Sequence, residues 1–132
     1  MIHHVELYVA DLAKSKDYWG WLLSELGYEK FQEWEQGVSF KKEKAYIVFV
    51  QTEEKYVEAG YHRKRIGLNH LAFWAKSIEQ VDNLADQMRS RGMRLLYEDR
   101  YPFAGGRDHY ALYGEDPDRI KVEIVAEHSL KE

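Results

Sequence analysis

His4-Val5-Glu6-Leu7-Tyr8-Val9-Ala10 opens the chain, and a similar stretch, His70-Leu71-Ala72-Phe73-Trp74-Ala75-Lys76, opens its second half. In each copy a histidine stands before a short apolar run with strand character, and a helical pattern follows at once. The helical patterns stop at comparable places, Leu26-Gly27-Tyr28 and Arg91-Gly92-Met93. A repeat of this kind predicts two copies of one supersecondary unit. It also gives two histidines equivalent positions, so a pseudo-twofold relation between the copies would bring the imidazoles to one place.

Working outward from the first copy, Asp11 is placed to cap a helix over about 12 to 26, with Ser15, Tyr18, Trp19, Leu22, Leu23 and Leu26 at helical spacing. Gly27 sits where a glycine ends a helix. Three strands are expected next, at about 28 to 34, 38 to 42 and 45 to 51, with turns at Gln36-Gly37 and Lys41 to Lys44. Residues 52 to 67 are polar and read as a linker holding at most one helical turn.

The second copy repeats the order. A strand is expected from Leu68 to Ala75. Ser77-Ile78-Glu79-Gln80 fits a capping box, and Ile78, Val81, Leu84, Ala85 and Met88 form an apolar stripe ended by Gly92. Strands follow at about 93 to 98, 108 to 114 and 119 to 126. Gly105-Gly106-Arg107 reads as a lid-like turn, and Asp116-Pro117-Asp118 as a tight turn. The short turns favour antiparallel pairing after each helix. The expected class is therefore α+β: two tandem βαβββ modules, at about 1 to 51 and 68 to 126, in one domain spanning 1 to 132, with a short C-terminal tail.

Bulk composition narrows the functional classes. The 132 residues suit one domain, which at this size buries roughly two-thirds of its unfolded surface. Nineteen basic against twenty-three acidic residues leave a net charge of −4, a poor electrostatic match to nucleic acid. No apolar run approaches the roughly 18 residues of a membrane span. There is no cysteine, hence no disulfide and no thiol nucleophile. The N-terminus lacks a signal-peptide layout, and the cytoplasm is the expected compartment. Four Trp, ten Tyr and five Phe point equally to a filled core and to a lined pocket. The basic cluster His62-Arg63-Lys64-Arg65 is most simply a solvated part of the linker.

The candidate chemistry rests on His4 and His70, since imidazole is the commonest metal ligand. Glu123, inside Ile120-Lys121-Val122-Glu123-Ile124-Val125-Ala126, is a third candidate. Strand alternation gives a competing explanation: Lys121 and Glu123 on a wet face, Val122 and Ile124 in the core. His3 is expected to point away from His4. His109, Tyr110 and Tyr113, on a strand before Glu123, are candidates for a substrate pocket. Tyr8, Phe73, Trp74 and Phe103 could wall it.

The sequence resembles the vicinal oxygen chelate superfamily, which includes glyoxalase I, bleomycin-resistance proteins, fosfomycin-resistance thiol transferases and extradiol dioxygenases. The residues that carry the resemblance are His4 to Leu12 and Leu26-Gly27-Tyr28 in the first copy. In the second they are Asn69 to Phe73, Glu115-Asp116-Pro117-Asp118 and Val122 to Val125. The resemblance implies paired βαβββ modules forming a half-open mixed β-barrel around one divalent metal, with His4, His70 and Glu123 on three ligand positions. Zinc, manganese, nickel and iron(II) are equally compatible. A fourth ligand, where the family uses one, would come from the last strand of the first module. There Val48 aligns with Glu123, and Gln51 is the nearest polar residue. The resemblance implies an enzyme acting on a small oxygen-bearing substrate, of lyase, thiol-transferase or dioxygenase type, with a thiol as one co-substrate option. A metal-free, ligand-sequestering protein like those for bleomycin is the alternative. It further implies a homodimer, with modules paired within a chain or exchanged between chains.

Overall fold

The computed structural model describes residues 1 to 127; the rest of the expected C-terminal tail lies outside the described residues. The chain divides into two compact units, Met1–Tyr61 and a second from His62 onward. Each holds a four-stranded mixed sheet with one long helix against it.

In the first unit, β1 (His4–Val9) leads into α1 (Leu12–Glu25), followed by β2 (Glu29–Trp34), β3 (Gly37–Lys42), β4 (Ala45–Gln51) and the single turn α2 (Glu54–Val57). The Asp11 carboxylate accepts from the Lys14 backbone N–H, which starts α1 as the sequence requires. Gly27, at φ +96°, lets the chain reverse after it. The helix buries Tyr18, Trp19, Leu22 and Leu23, and the Trp19 ring stacks on Phe49 of β4 with centroids 5.0 Å apart. Strand order is β1-β4-β3-β2, with β1 and β4 parallel and the other pairs antiparallel.

The second unit repeats this with β5 (Leu71–Ala75), α3 (Ile78–Ser90), β6 (Arg94–Leu96), β7 (Ala111–Glu115) and β8 (Lys121–Ala126), in the order β5-β8-β7-β6. The Ser77 hydroxyl accepts from the Gln80 N–H at 3.0 Å, while the Gln80 side chain reaches back to the Lys76 N–H at 2.8 Å. The capping box is thus displaced by one residue on its return arm. Val81, Leu84, Ala85 and Met88 are buried as the stripe predicts, but Ile78, the first residue of α3, is exposed. Strand β7 begins three residues later than expected. The preceding residues belong to a chain of turns running from a short 3-10 turn (Glu98–Arg100) to His109.

The register of the two sheets fixes which positions correspond. Glu6 pairs with Val48, and its counterpart Ala72 pairs with Glu123. Val48 is flanked by Glu6 and Ser39; Glu123 is flanked by Ala72 and Tyr113. The alignment of Val48 with Glu123 read from sequence therefore holds in the strand pairing. Among the described residues the fold is α+β, with two four-stranded sheets and three helices.

Candidate functional site

Glu123 lies on β8, an interior strand of the second sheet. Val122 and Ile124 on either side are fully buried. Alternation therefore turns Glu123 to the other face, as expected. That face is not wet at this point: Glu123 is only 5% exposed. A buried carboxylate is costly unless its oxygens have polar partners, and here each has an imidazole nitrogen beside it. His70, one residue before β5, places Nε2 3.0 Å from Oε1. His109, two residues before β7, brings its Nε2 onto Oε2. The Tyr113 hydroxyl, on the neighbouring strand directly opposite, completes the surroundings. Its pKa is pushed up to about 12, first by burial and then by the negative charge of Glu123.

The tautomer of His70 follows from its other side. Nδ1 lies 2.8 Å from the Asn69 side-chain oxygen, which can only accept. Nδ1 therefore carries the hydrogen, which leaves Nε2 to face the carboxylate oxygen; were the ring to carry no second hydrogen, Nε2 would be an acceptor there. Two acceptors would then meet, and either a proton or a cation between them satisfies both. The Asn69 contact has a sequence signal, a carboxamide directly beside the histidine, but no role was read from it.

The loop before β7 packs tightly on this site. A Cβ at Gly105 would lie 2.4 Å from the Tyr113 hydroxyl oxygen and 2.7 Å from His109 Cδ2, so only glycine fits. This stretch reads as a lid from sequence; in the structure it is a close-packed wall. The Tyr101 and Tyr110 hydroxyls both donate to Asp82 Oδ1 on α3, the latter at 2.7 Å. Burial is the first cause of the raised pKa of both phenols, and the Asp82 charge adds to it. Tyr110, expected beside a substrate, is thus directed to α3, because it precedes β7 and points opposite to His109. A cavity of about 370 Å³ opens beside Glu123, walled by Ala72, Trp74, Val125 and His109. Two of the expected pocket residues, His109 and Tyr113, therefore stand at Glu123, and the third does not.

In the first unit, the exposed His4 ring stacks on Tyr46, with centroids 4.7 Å apart and planes 3° from parallel. His4 Nδ1 is 2.9 Å from Nδ1 of His3. His3 does not turn away as expected, because the pleat of β1 begins only at His4 and alternation does not reach the residue before it. Gln51 is occupied by backbone. Its Oε1 accepts from the Leu12 N–H at 2.9 Å, and its Nε2 donates to the Ala10 and Thr52 carbonyls. That staples the turn between β1 and α1 to the end of β4. In the linker cluster His62, Lys64 and Arg65 are exposed, as read, while half-buried Arg63 donates to the buried Glu115 at 2.6 Å.

Among the described residues, no three His, Cys, Asp or Glu side chains are arranged as a metal-holding group. In the second unit the donor atoms meet one another at hydrogen-bonding distance instead. Their types nevertheless fit a divalent cation: imidazole nitrogen with its tautomer set by a neighbour, and a carboxylate in a nearly dry site.

A family model described as the Glyoxalase/Bleomycin resistance protein/Dioxygenase superfamily matches residues 1–124. The protein YqjT of Bacillus subtilis (strain 168) is 56% identical over 125 residues, covering 95% of this chain and 98% of its own. The crystal structure of a candidate glyoxalase from Bacillus halodurans is 58% identical, with a TM-score of 0.94 over 96% of this chain and 95% of that one. More distantly, the fold is shared with the fosfomycin resistance protein FosX of Listeria monocytogenes, solved with Mn(II) and a dihydroxypropylphosphonic acid. That likeness has 20% identity and a TM-score of 0.69, over 96% of this chain and 91% of that one. With its repeated βαβββ order and a family match across nearly its whole length, the chain belongs to the glyoxalase/bleomycin resistance protein/dioxygenase superfamily.

Proposed function

We propose that the protein is a divalent-metal-dependent enzyme that binds a small oxygen-bearing substrate at Glu123. The observation that carries this reading is the buried Glu123 carboxylate faced at 3.0 Å by Nε2 of His70, whose Nδ1 is held by Asn69. His70 and Glu123 are the proposed ligands in the second unit, and His4, from this chain or a second copy, is the third. Zinc, manganese, nickel or iron(II) would serve, and the manganese complex of the fold-sharing FosX supports a metal in such a scaffold. When bound, the ion supplies Lewis-acid polarisation of substrate oxygens.

The chain's own residues do the rest. Trp74 and Val125 wall the cavity and exclude water from one side of Glu123. Asn69 holds the His70 ring. Tyr113 keeps its proton through neutral pH and stays a donor towards Glu123. His109 lines the cavity with an imidazole that can carry a proton at Nε2 to or from a bound molecule. It is the proton carrier that the sequence alone left unnamed. A reaction of lyase, thiol-transferase or dioxygenase type is compatible with these parts. Since the chain has no cysteine, a thiol would come from a co-substrate. A cytoplasmic homodimer completes the reading; no helix among the described residues is long and apolar enough to cross a membrane.

The exposed Trp74 at the cavity rim favours a second reading, a binding protein that stacks an aromatic ligand there without turnover. One measurement separates the two: metal content after purification without a metal-affinity tag, in the parent, His70→Ala and Glu123→Ala. Near-stoichiometric metal in the parent, lost in both variants, is the expected outcome. A parent that takes up none after incubation with zinc, manganese, nickel and iron(II) would overturn the enzyme and leave the binding protein.

A further inference from the structure

His109 and Tyr110 are neighbours in the chain and face opposite ways. His109 brings Nε2 onto Glu123 Oε2 of β8, and the Tyr110 hydroxyl donates to Asp82 Oδ1 of α3 at 2.7 Å. The Tyr110 carbonyl accepts from the Ala126 N–H of β8 at 2.9 Å, which fixes the backbone at this point. Two adjacent side chains on a fixed backbone cannot turn independently, so whatever holds the phenol also aims the imidazole.

The same Asp82 oxygen takes the Tyr101 hydroxyl. Tyr101 and Tyr110 stand at the two ends of one loop, and the residue after each closes its neck: the Ala111 N–H donates to the Pro102 carbonyl at 2.9 Å. One carboxylate therefore clamps both ends. Inside the loop, the Gly106 N–H donates to the Phe103 carbonyl and the His109 N–H to the Gly106 carbonyl, each at 3.1 Å. Those bonds are local; they shape the loop but do not orient it against the sheet.

A second tie from α3 reaches the segment before the loop, where Arg89 donates to Glu98 at 2.9 Å. Both partners are about half exposed, at 44% and 52%, and an ion pair so wet holds little. Asp82 is half-buried beside the apolar stripe of α3, and its bonds to the two phenols are shielded. Charge-assisted bonds of that kind are the stronger restraint. On its far side the loop is packed to contact, since a Cβ at Gly105 would lie 2.7 Å from His109 Cδ2. A shift at the neck is thus passed to the ring. Asp82 itself is not among the residues that wall the cavity beside Glu123, whereas His109 is.

We propose that Asp82 is a positioning residue for His109: through the Tyr101 and Tyr110 hydroxyls it clamps the neck of the loop and holds the imidazole at Glu123 on the cavity wall. The inference rests on the enzyme reading only in treating His109 as a proton carrier; the placement of the ring stands on the loop's own contacts.

The test is the rate at which diethyl pyrocarbonate modifies His109 in the metal-free protein, followed residue by residue by mass spectrometry. Exposed His62, outside the loop, is the reference. In the parent, His109 should react more slowly than His62, because Glu123 engages its nitrogen. In Asp82→Ala the His109 rate should rise at least about tenfold, the factor that matches losing one hydrogen bond to a charged acceptor, with His62 unchanged. Asp82→Asn, whose carboxamide oxygen still accepts from both phenols, should return the parent rate. Tyr110→Phe keeps the ring and serves should Asp82→Ala fold poorly; it should speed His109 too, and by more than Tyr101→Phe, which is remote from the imidazole in the chain. A lower melting temperature in Asp82→Ala with an unchanged His109 rate would assign Asp82 to stability alone and overturn the clamp. So would an Asp82→Asn protein as fast as Asp82→Ala, or equal rates at His109 and His62 in the parent. Metal plays no part in the measurement. A clamp upheld in a protein that takes up no metal removes the enzyme reading alone, and a clamp overturned in a metal-binding protein leaves that reading standing.

Discussion

Glu123 is surrounded by groups that each act through hydrogen bonding, and Tyr113 shows what that does to titration. A phenol whose pKa rises on folding favours its neutral form in the native state, so the fold binds that proton more tightly than the unfolded chain does. The sign is therefore definite. The contribution is fully present below about pH 10, where unfolded tyrosine is still protonated, and is lost as the pH climbs to the folded value of about 12. Each such tyrosine lowers stability across that window at up to about 1.4 kcal/mol per pH unit. Urea midpoints of the parent and Tyr113→Phe, measured from pH 8 to pH 11.5 (about the usable limit), should diverge only above about pH 10, the variant falling less steeply. Parallel curves would mean that Tyr113 is not buried against a charge.

At the scale of elements, the loop from Tyr101 to Tyr110 holds the site together. It is pinned to α3 by two tyrosine hydroxyls on Asp82 and packs on Tyr113 and His109 through Gly105. Gly105→Ala forces a methyl into space held by the Tyr113 hydroxyl and the His109 ring. Overpacking of this kind costs about 1 to 3 kcal/mol, and its expected signs are a lower melting temperature and weakened metal retention. An unchanged melting temperature with full metal content would contradict the close packing. Elements were largely legible in the sequence, and the reasons are particular. The Asp11 and Ser77 caps, the Gly27 stop and the α1 stripe are local signals that packing reinforced. What escaped was non-local or lay at an element's edge. Arg63 meets a carboxylate on a distant strand, a pairing that no pattern within the linker encodes. Alternation misdirected His3 because it stands just outside its strand, and Tyr110, grouped with the pocket for its place beside His109, points opposite to it. Glu123 itself was placed on the correct face, but its burial depends on His70, His109 and Tyr113 arriving from three other segments.

For the whole molecule, the repeat is intact in topology and unequal in chemistry. Strand registers set Val48 against Glu123, and their neighbours differ accordingly: Glu6 and Ser39 in one unit, Ala72 and Tyr113 in the other. Grafting the carboxylate alone should therefore fail. Val48→Glu would bury a charge that has Glu6 as its cross-strand neighbour, and a destabilisation of about 2 kcal/mol or more is expected, with no gain in bound metal per chain. Chemical denaturation and metal analysis of the variant check both parts; a stable protein with additional metal would show that the first unit needs only the carboxylate.

The pinned loop carries one more consequence. A wall already fixed by Asp82 and by the Gly105 contact has little conformational freedom left to surrender when a ligand arrives. Association on that side of Glu123 then proceeds as an encounter with a ready-made surface, in a single kinetic phase whose rate scales with ligand concentration.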